Sequence, residues 1–305
     1  MAIRFRLGSR GSPLALVQAH MVRDALAAAH GWAVDAIEIV TVRTTGDRVQ
    51  DRALAEIGGK ALWTKELDRA LLAGAIDAAV HSMKDVETVR PDAITIAAML
   101  PRADVRDCLI GAEAIDTLRP GAVIGTSSPR RAAQLRALRP DFRTTLFRGN
   151  VETRLAKLAA GEVDATILAA AGLDRLGRPD IGTRLAVDTM LPAPAQGAVG
   201  IECRTGDAEA RASLAAIDDA ATSCCVGHER ALLAALDADC HSPVAALAMI
   251  ENDWVLLRAR LYAMDGSEQV AGARIGRSDD AELAPTLAAT LLADAPAAIR
   301  RLFGA

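Results

Sequence analysis

The residues with the greatest chemical potential stand where short apolar runs give way to polar turns. Ala75-Ile76-Asp77-Ala78-Ala79-Val80 leads into His81-Ser82-Met83-Lys84-Asp85. Such a run suits a buried parallel strand, and open α/β sheets bind ligands at the carboxyl ends of their strands. A carboxylate held there beside a fixed cation, Asp85 beside Lys84, is placed to steady a reacting group that develops positive charge. The same few residues also describe a solvated strand-to-loop corner.

Arginines gather at equivalent places. Arg10 lies in Gly8-Ser9-Arg10-Gly11-Ser12-Pro13, a glycine-flanked turn into a helix whose first residues offer an anion site. Arg130 and Arg131 fall in the first turn of a second such helix, after Gly125-Thr126-Ser127-Ser128-Pro129. The helix dipole opposes cations there unless an anion is present. Arg148 follows the strand Arg143–Phe147, and Arg154 lies one turn into the next helix. Arg175 follows Leu168–Leu173, which reads as the end of another strand. Arginine suits bidentate carboxylate recognition, so this placement predicts a multiply charged anionic ligand. It does not separate phosphate from carboxylate, and solvated surface arginines are the plain alternative.

Five cysteines (Cys108, Cys203, Cys224, Cys225, Cys240) show no metal-ligand spacing and are expected to be free thiols, most of them buried. Cys240 differs, because Asp237-Ala238-Asp239-Cys240-His241-Ser242-Pro243 reads as a polar loop where a thiolate could act as nucleophile. His241 beside it suggests a cysteine hydrolase, although such dyads are built in space rather than in sequence.

The elements that must position these groups follow from pattern. At 305 residues the chain can fill two or three cores. Its net charge of −4 carries no general basicity for nucleic acid. No apolar run reaches membrane-spanning length, and the N-terminus lacks a signal-peptide pattern; a cytoplasmic protein is expected. Strand Ile3–Leu7, helix Leu14–Ala29 capped by Ser12, strand Val34–Val42, a long polar loop Thr44–Gly59 and helix Leu62–Leu72 ending at Gly74 come first. The strand-turn-helix of Gly8–Pro13 is echoed by Ala122–Arg131, and Ala73–Ala78 by Ala160–Ala165. The echo reads equally as two similar α/β domains or as chance similarity in an alanine-rich chain; two such domains facing each other would hold an anion in the cleft between them. Val199–Cys203 forms one more strand after the stiff Pro192–Gly197 connection. Helices Ala208–Ile217 and Ser223–Leu236, a hairpin turning at Asp265-Gly266 and a helix Asp280–Leu292 close the chain as a small α+β domain. A non-catalytic anion-binding protein would share this architecture.

His81-Ser82-Met83-Lys84-Asp85, Gly125–Arg131, Arg148-Gly149-Asn150, Thr153-Arg154-Leu155 and Gln196–Glu202, with Arg10–Ala15 and Glu229-Arg230 before Cys240, together resemble the porphobilinogen deaminase (hydroxymethylbilane synthase) family. The resemblance implies three domains, 1–100 with 196–216, 104–192 and 220–305, the first two like periplasmic binding proteins around an interdomain cleft. It implies stepwise condensation of four porphobilinogen molecules, with loss of ammonia, onto a dipyrromethane primer bound by a thioether to Cys240. Hydrolysis then frees the linear tetrapyrrole. By the same resemblance Asp85 is the catalytic carboxylate, and Lys84, Asp85, Ser12, Thr126, Ser128, Arg130, Arg131 and Arg154 hold the primer. Arg10, Arg148, Arg154, Arg175 and Gln196 handle substrate and growing chain, with no metal, no membrane or nucleic-acid partner, and a monomeric enzyme. Thr44–Gly59 matches a mobile loop over the cleft mouth, with Lys60 at its end. Ala238, Asp239 and Ser242 depart from the family pattern around the cysteine, Glu56 stands where a basic residue is common, and Glu87 where proline is.

Overall fold

The computed structural model describes residues 3–42 and 64–303. In chain order the strands are β1 (Phe5–Arg10), β2 (Ile37–Val42), β3 (Ala78–Ser82), β4 (Ile94–Met99), β5 (Asp107–Ile110), β6 (Val123–Gly125), β7 (Arg143–Thr145), β8 (Ala165–Ala169), β9 (Thr183–Arg184), β10 (Val199–Arg204), β11 (Val244–Glu251), β12 (Trp254–Tyr262) and β13 (Gln269–Arg277). The helices that matter below are α1 (Pro13–His30), α2 (Lys65–Leu72), α3 (Pro129–Leu138), α4 (Val151–Ala159), α5 (Ala170–Arg175), α6 (Ala208–Ala215), α7 (Ala220–Ala235) and α8 (Leu283–Asp294). The polar loop Thr44–Gly59, with Glu56 and Lys60, and the start of the helix expected from Leu62 lie outside the described residues.

The chain divides into two compact units, 1–103 with 197–223 and 104–196 with 224–305. In the first, five strands run β2-β1-β3-β10-β4. β1 is parallel to β2 and β3, while β10 runs antiparallel between β3 and β4. Successive strand residues point to opposite faces. Phe5, Leu7, Ala78, Val80 and Ile201 pack with Val22 and Leu26 of α1 and Leu214 of α6. On the other face Ala79 and Ile94 meet Leu67 and Leu71, an i,i+4 pair on α2. Among the described residues no helix is long and apolar enough to cross a membrane.

The second unit holds a sheet with order β7-β6-β8-β5-β9. β6 is parallel to β7 and β8, and β5 is antiparallel to β8 and β9. Pattern and order therefore match the first sheet, although the antiparallel strand enters first along the chain here and last there. The echo seen in sequence is real at the level of backbone. Ser12 accepts from Ala15 N–H at 3.3 Å and Ser128 from Arg131 N–H at 3.4 Å, each followed by proline at the helix start. Gly74 and Gly161 each leave a helix with positive φ, 69° and 75°.

The same unit contains the meander β11-β12-β13, antiparallel throughout, with Gly266 at φ 76° in the β12–β13 turn. Leu232 and Leu236 from α7 and its end, and Leu287 and Leu291 of α8, cover Leu257 and Leu261 of its central strand. The fold is thus two α/β sheets of one topology and a small α+β domain. Two local expectations are corrected. Val34–Ala36 is a single 3-10 turn and the strand starts at Ile37. Leu168–Leu173 does not stay extended: β8 stops at Ala169 and α5 begins at once, so Arg175 ends a helix and not a strand. Its alanines favour helix once the sheet no longer recruits them.

Candidate active site

β3 delivers its last residues to the sheet edge where β1 also ends. Ser82 shares a face with Ala78 and Val80, so it points to α1, where Gln18 Nε2 donates to its Oγ at 2.8 Å. A 3-10 turn, Met83–Asp85, follows at once. Three contacts fix that turn. Met83 N–H donates to Ala198 O at 3.1 Å, Val86 N–H donates to Met83 O at 3.2 Å, and the buried Met83 side chain lies over Gly200 of β10. A Cβ at Gly200 would stand 2.1 Å from Met83 Sδ, so glycine is needed for this approach. Asp85 thereby lines a pocket of about 440 Å³, counted to its open mouth, with Arg10, Ser12, Gln18 and Ser82. One carboxylate, one guanidinium and two hydroxyls share that pocket. It can take a ligand that offers an N–H and an acid group together. Lys84 is half-buried on the same turn.

On the opposite face, beneath the same strand, sits a buried ionic network that sequence reasoning missed. Glu202 of β10 is fully buried and accepts from Arg90 Nε at 2.8 Å and Nη2 at 2.9 Å. His81 Nε2 lies 3.2 Å from Glu202 Oε2, the oxygen that also accepts from Arg90 Nη2. Arg90 also reaches Glu87 and Asp68, both at 2.6 Å. Burial would push the Glu202 carboxyl up, but His81 and Arg90 outweigh it and hold it down at about 2. Burial dominates at Asp68, whose pKa is raised. Glu87, where the family pattern has proline, is an anion of this network and also accepts from Thr64 Oγ1 at 2.9 Å.

In the second unit the structure brings Arg130, Arg131 and Gln196 together, and the meeting point is Asp107. This carboxylate is fully buried at the start of β5 and pairs in register with Ala169, at the carboxyl end of β8. Arg130 Nη2 donates to it at 2.9 Å, Arg131 Nη2 at 2.6 Å and Gln196 Nε2 at 3.0 Å. The Nη1 atoms are used inward as well, that of Arg130 donating to Leu191 O at 2.7 Å and that of Arg131 to Ile167 O at 3.0 Å. Burial alone would raise the Asp107 pKa, yet the two guanidiniums hold it well below the usual carboxylate range. The chain thus supplies one anion of its own between these two arginines. A charged residue opening the otherwise apolar Asp107-Cys108-Leu109-Ile110 was the available signal, because a buried charge needs a partner.

The other candidates are more dispersed. Thr126 is buried, and its Oγ1 accepts from Ser128 N–H at 3.2 Å. Arg148 is buried, and Arg154 Nε donates to Gly149 O at 3.0 Å. Arg175 is half-buried on α5, and burial lowers its pKa. Glu229 of α7 is wholly buried and accepts from Ala195 N–H at 2.5 Å and Ala248 N–H at 2.7 Å, fixing Ala195 at φ 61° just before Gln196.

Cys240 is the exposed thiol of the five. It stands in a turn closed by its neighbours, with His241 N–H donating to Asp239 Oδ1 at 2.8 Å and Asp239 N–H to Ser242 Oγ at 3.0 Å. Asp237 at φ 49° supplies the backbone freedom that glycine would otherwise give. Cys108, Cys203 and Cys225 are buried, and Cys224 Sγ contacts Ser278 O at 3.6 Å. Cys240 is the exposed thiol, Cys224 being half-buried and the other three buried, so a thioether-linked group fits this chain at Cys240. Among the described residues there is no metal-ligating cluster.

Comparison with known proteins gives the same picture. Residues 5–212 match the family model "Porphobilinogen deaminase, dipyromethane cofactor binding domain", and residues 223–293 match "Porphobilinogen deaminase, C-terminal domain". A porphobilinogen deaminase of Sphingopyxis alaskensis is 60% identical over 98% of this chain and 96% of that protein. One of Paracoccus denitrificans is 52% identical over 96% and 95%. A periplasmic substrate-binding protein of an ABC transporter from Coxiella burnetii superposes with TM-score 0.43 at 15% identity, over 72% of this chain and 94% of that one, too loosely to bear on the fold. With sequence matches along nearly its whole length, the chain belongs to the porphobilinogen deaminase family.

Proposed function

We propose that this chain is a transferase that condenses four porphobilinogen molecules head to tail, releases ammonia at each step, and frees the linear tetrapyrrole hydroxymethylbilane by hydrolysis. Asp85 is the catalytic carboxylate. Held in a pocket with Arg10, it accepts a pyrrole N–H bond and steadies positive charge on the ring nitrogen as the amino group leaves as ammonia and the methylene stays on the ring. The same group can take up and return the protons of the exchange. Arg10 pairs with an acid arm of the substrate, and Arg148, Arg154, Arg175 and Gln196 serve substrate and growing chain. Lys84, Ser12, Thr126, Ser128, Arg130, Arg131 and Arg154, with Asp85, hold the primer. The dipyrromethane, when bound through a thioether to Cys240, supplies a free pyrrole α-carbon as nucleophile. The three sheets support domains at 1–100 with 196–216, 104–192 and 220–305. A monomeric enzyme in the cytoplasm completes the reading; the free cysteines suit a reducing compartment.

The observation that carries the proposal is the pocket shared by Asp85 and Arg10, since a ring N–H and a side-chain carboxylate are what porphobilinogen presents. Purified protein is incubated with porphobilinogen, and ammonia and oxidised porphyrin are measured. Asp85→Asn is expected to keep the fold and lose about 100-fold or more in kcat. Wild-type protein that leaves porphobilinogen unconsumed would refute the proposal.

A further inference from the structure

The proposed reading uses Arg130, Arg131 and Gln196 but gives no part to the group on which they converge. Asp107 is fully buried and lies at the ligand-facing edge of the second sheet, in register with the end of β8. Its carboxylate receives three side chains from two further places in the chain, the first turn of α3 and the end of the Pro-rich connection. The charges do not cancel. Two guanidiniums share one carboxylate, leaving one positive charge over in a buried cluster. The Nε atoms of both arginines are buried with no hydrogen-bond partner among the described residues. The dipole of α3 adds to the positive potential at its first turn instead of relieving it. A buried excess of this kind raises affinity for an anion at the adjoining Thr126–Ser128 turn, and buried polar atoms without partners are rare unless a ligand or a function accounts for them.

We infer that Asp107 is the positioning residue of the arginine site. It locks both guanidinium forks and the Gln196 carboxamide in one orientation and neutralises one of the two charges, so that the site takes a single carboxylate of the primer. This rests on the function proposed above. Asparagine is nearly the same shape, but it offers one acceptor and turns a donor toward the other arginine, so one fork must leave its place.

Asp107→Asn and, separately, Asp107→Glu are made in the full chain and purified beside wild type. Intact mass gives the fraction carrying a two-pyrrole adduct, and thermal melting reports the fold. Asp107→Asn that melts as a folded protein is expected to lose about tenfold or more in occupancy, the size expected for one charged hydrogen bond. Exposure of apoprotein to porphobilinogen should restore the adduct slowly in the variant and readily in wild type. A folded variant with wild-type occupancy and reloading overturns the inference. If Asp107→Asn does not fold, Asp107→Glu decides: folded with low occupancy supports the role, and folded with full occupancy overturns it. If neither folds, Asp107 is a structural anchor and the inference is likewise overturned. Wild type without an adduct on Cys240 would instead sink the proposed function.

Discussion

Replacing Arg90 by methionine tests the account of how the catalytic turn is supported. Arg90 holds Glu202 with two hydrogen bonds of 2.8 and 2.9 Å, in a place where Glu202 has no contact with water. The Glu202 carboxyl is held at about 2, against 4.5 ordinarily. At about 1.4 kcal/mol for each tenfold change in proton affinity, that difference stabilises the fold by about 3 kcal/mol at neutral pH. His81 and Arg90 share that stabilisation, and removing one partner of a buried pair costs about 3–5 kcal/mol in general. The pH dependence has a definite sign. In wild type a depressed carboxyl contributes stability above about 4.5, and the contribution is lost as pH falls toward 2. Without Arg90, His81 alone is left to oppose burial, and the Glu202 pKa moves up toward its unfolded value. The cost is then greatest at pH 7.5 and shrinks toward pH 3, as the carboxyl of the variant takes up a proton before that of wild type. Urea denaturation of Arg90→Met and wild type at both pH values measures this, with equal m-values required for the comparison. A loss below about 1 kcal/mol at pH 7.5, or one equally large at pH 3, would refute the reasoning.

Three further expectations follow from other parts of the molecule. Gly200→Ala places a Cβ against Met83 Sδ, and the Met83–Asp85 turn must shift to make room; steady-state kinetics should show kcat falling about tenfold or more while the protein stays folded, because sub-ångström placement governs catalysis. Ser12→Ala and Ser128→Ala each remove an N-cap acceptor and should each lower stability by about 1 kcal/mol in urea titrations; losses confined to one of them would contradict the shared design of the two turns. Brief treatment of Cys240→Ser with a thiol reagent should label the native protein far less than it labels primer-free wild type, since Cys108, Cys203 and Cys225 are buried. Peptide mapping that finds those three labelled at comparable rates would contradict the structure.

Much was legible from sequence because local rules set it. The glycine-serine-proline starts of α1 and α3 declare a cap, a first helical residue and a turn within six positions. The Asp265-Gly266 signal placed the β12–β13 hairpin, and the apolar run before His81 placed a buried strand ending near Asp85. The polar surroundings of Cys240 marked it as the reachable thiol, as found. Propensity misled at Leu168–Leu173, where an apolar alanine-rich segment satisfies strand and helix patterns alike and only the sheet's edge decides between them.

What sequence determined alone was the local grammar: caps, turns, alternation of faces, and a set of charged residues at the ends of elements. Tertiary structure decided which charges meet. Asp107 lies 23 and 24 positions from its arginines and 89 from Gln196, and Glu202 lies 112 from Arg90. No periodicity reaches across such separations. Those pairings exist because the antiparallel strands β5 and β10 of the two mixed sheets carry their carboxylates into buried places, where a lone charge is too costly to leave unmatched.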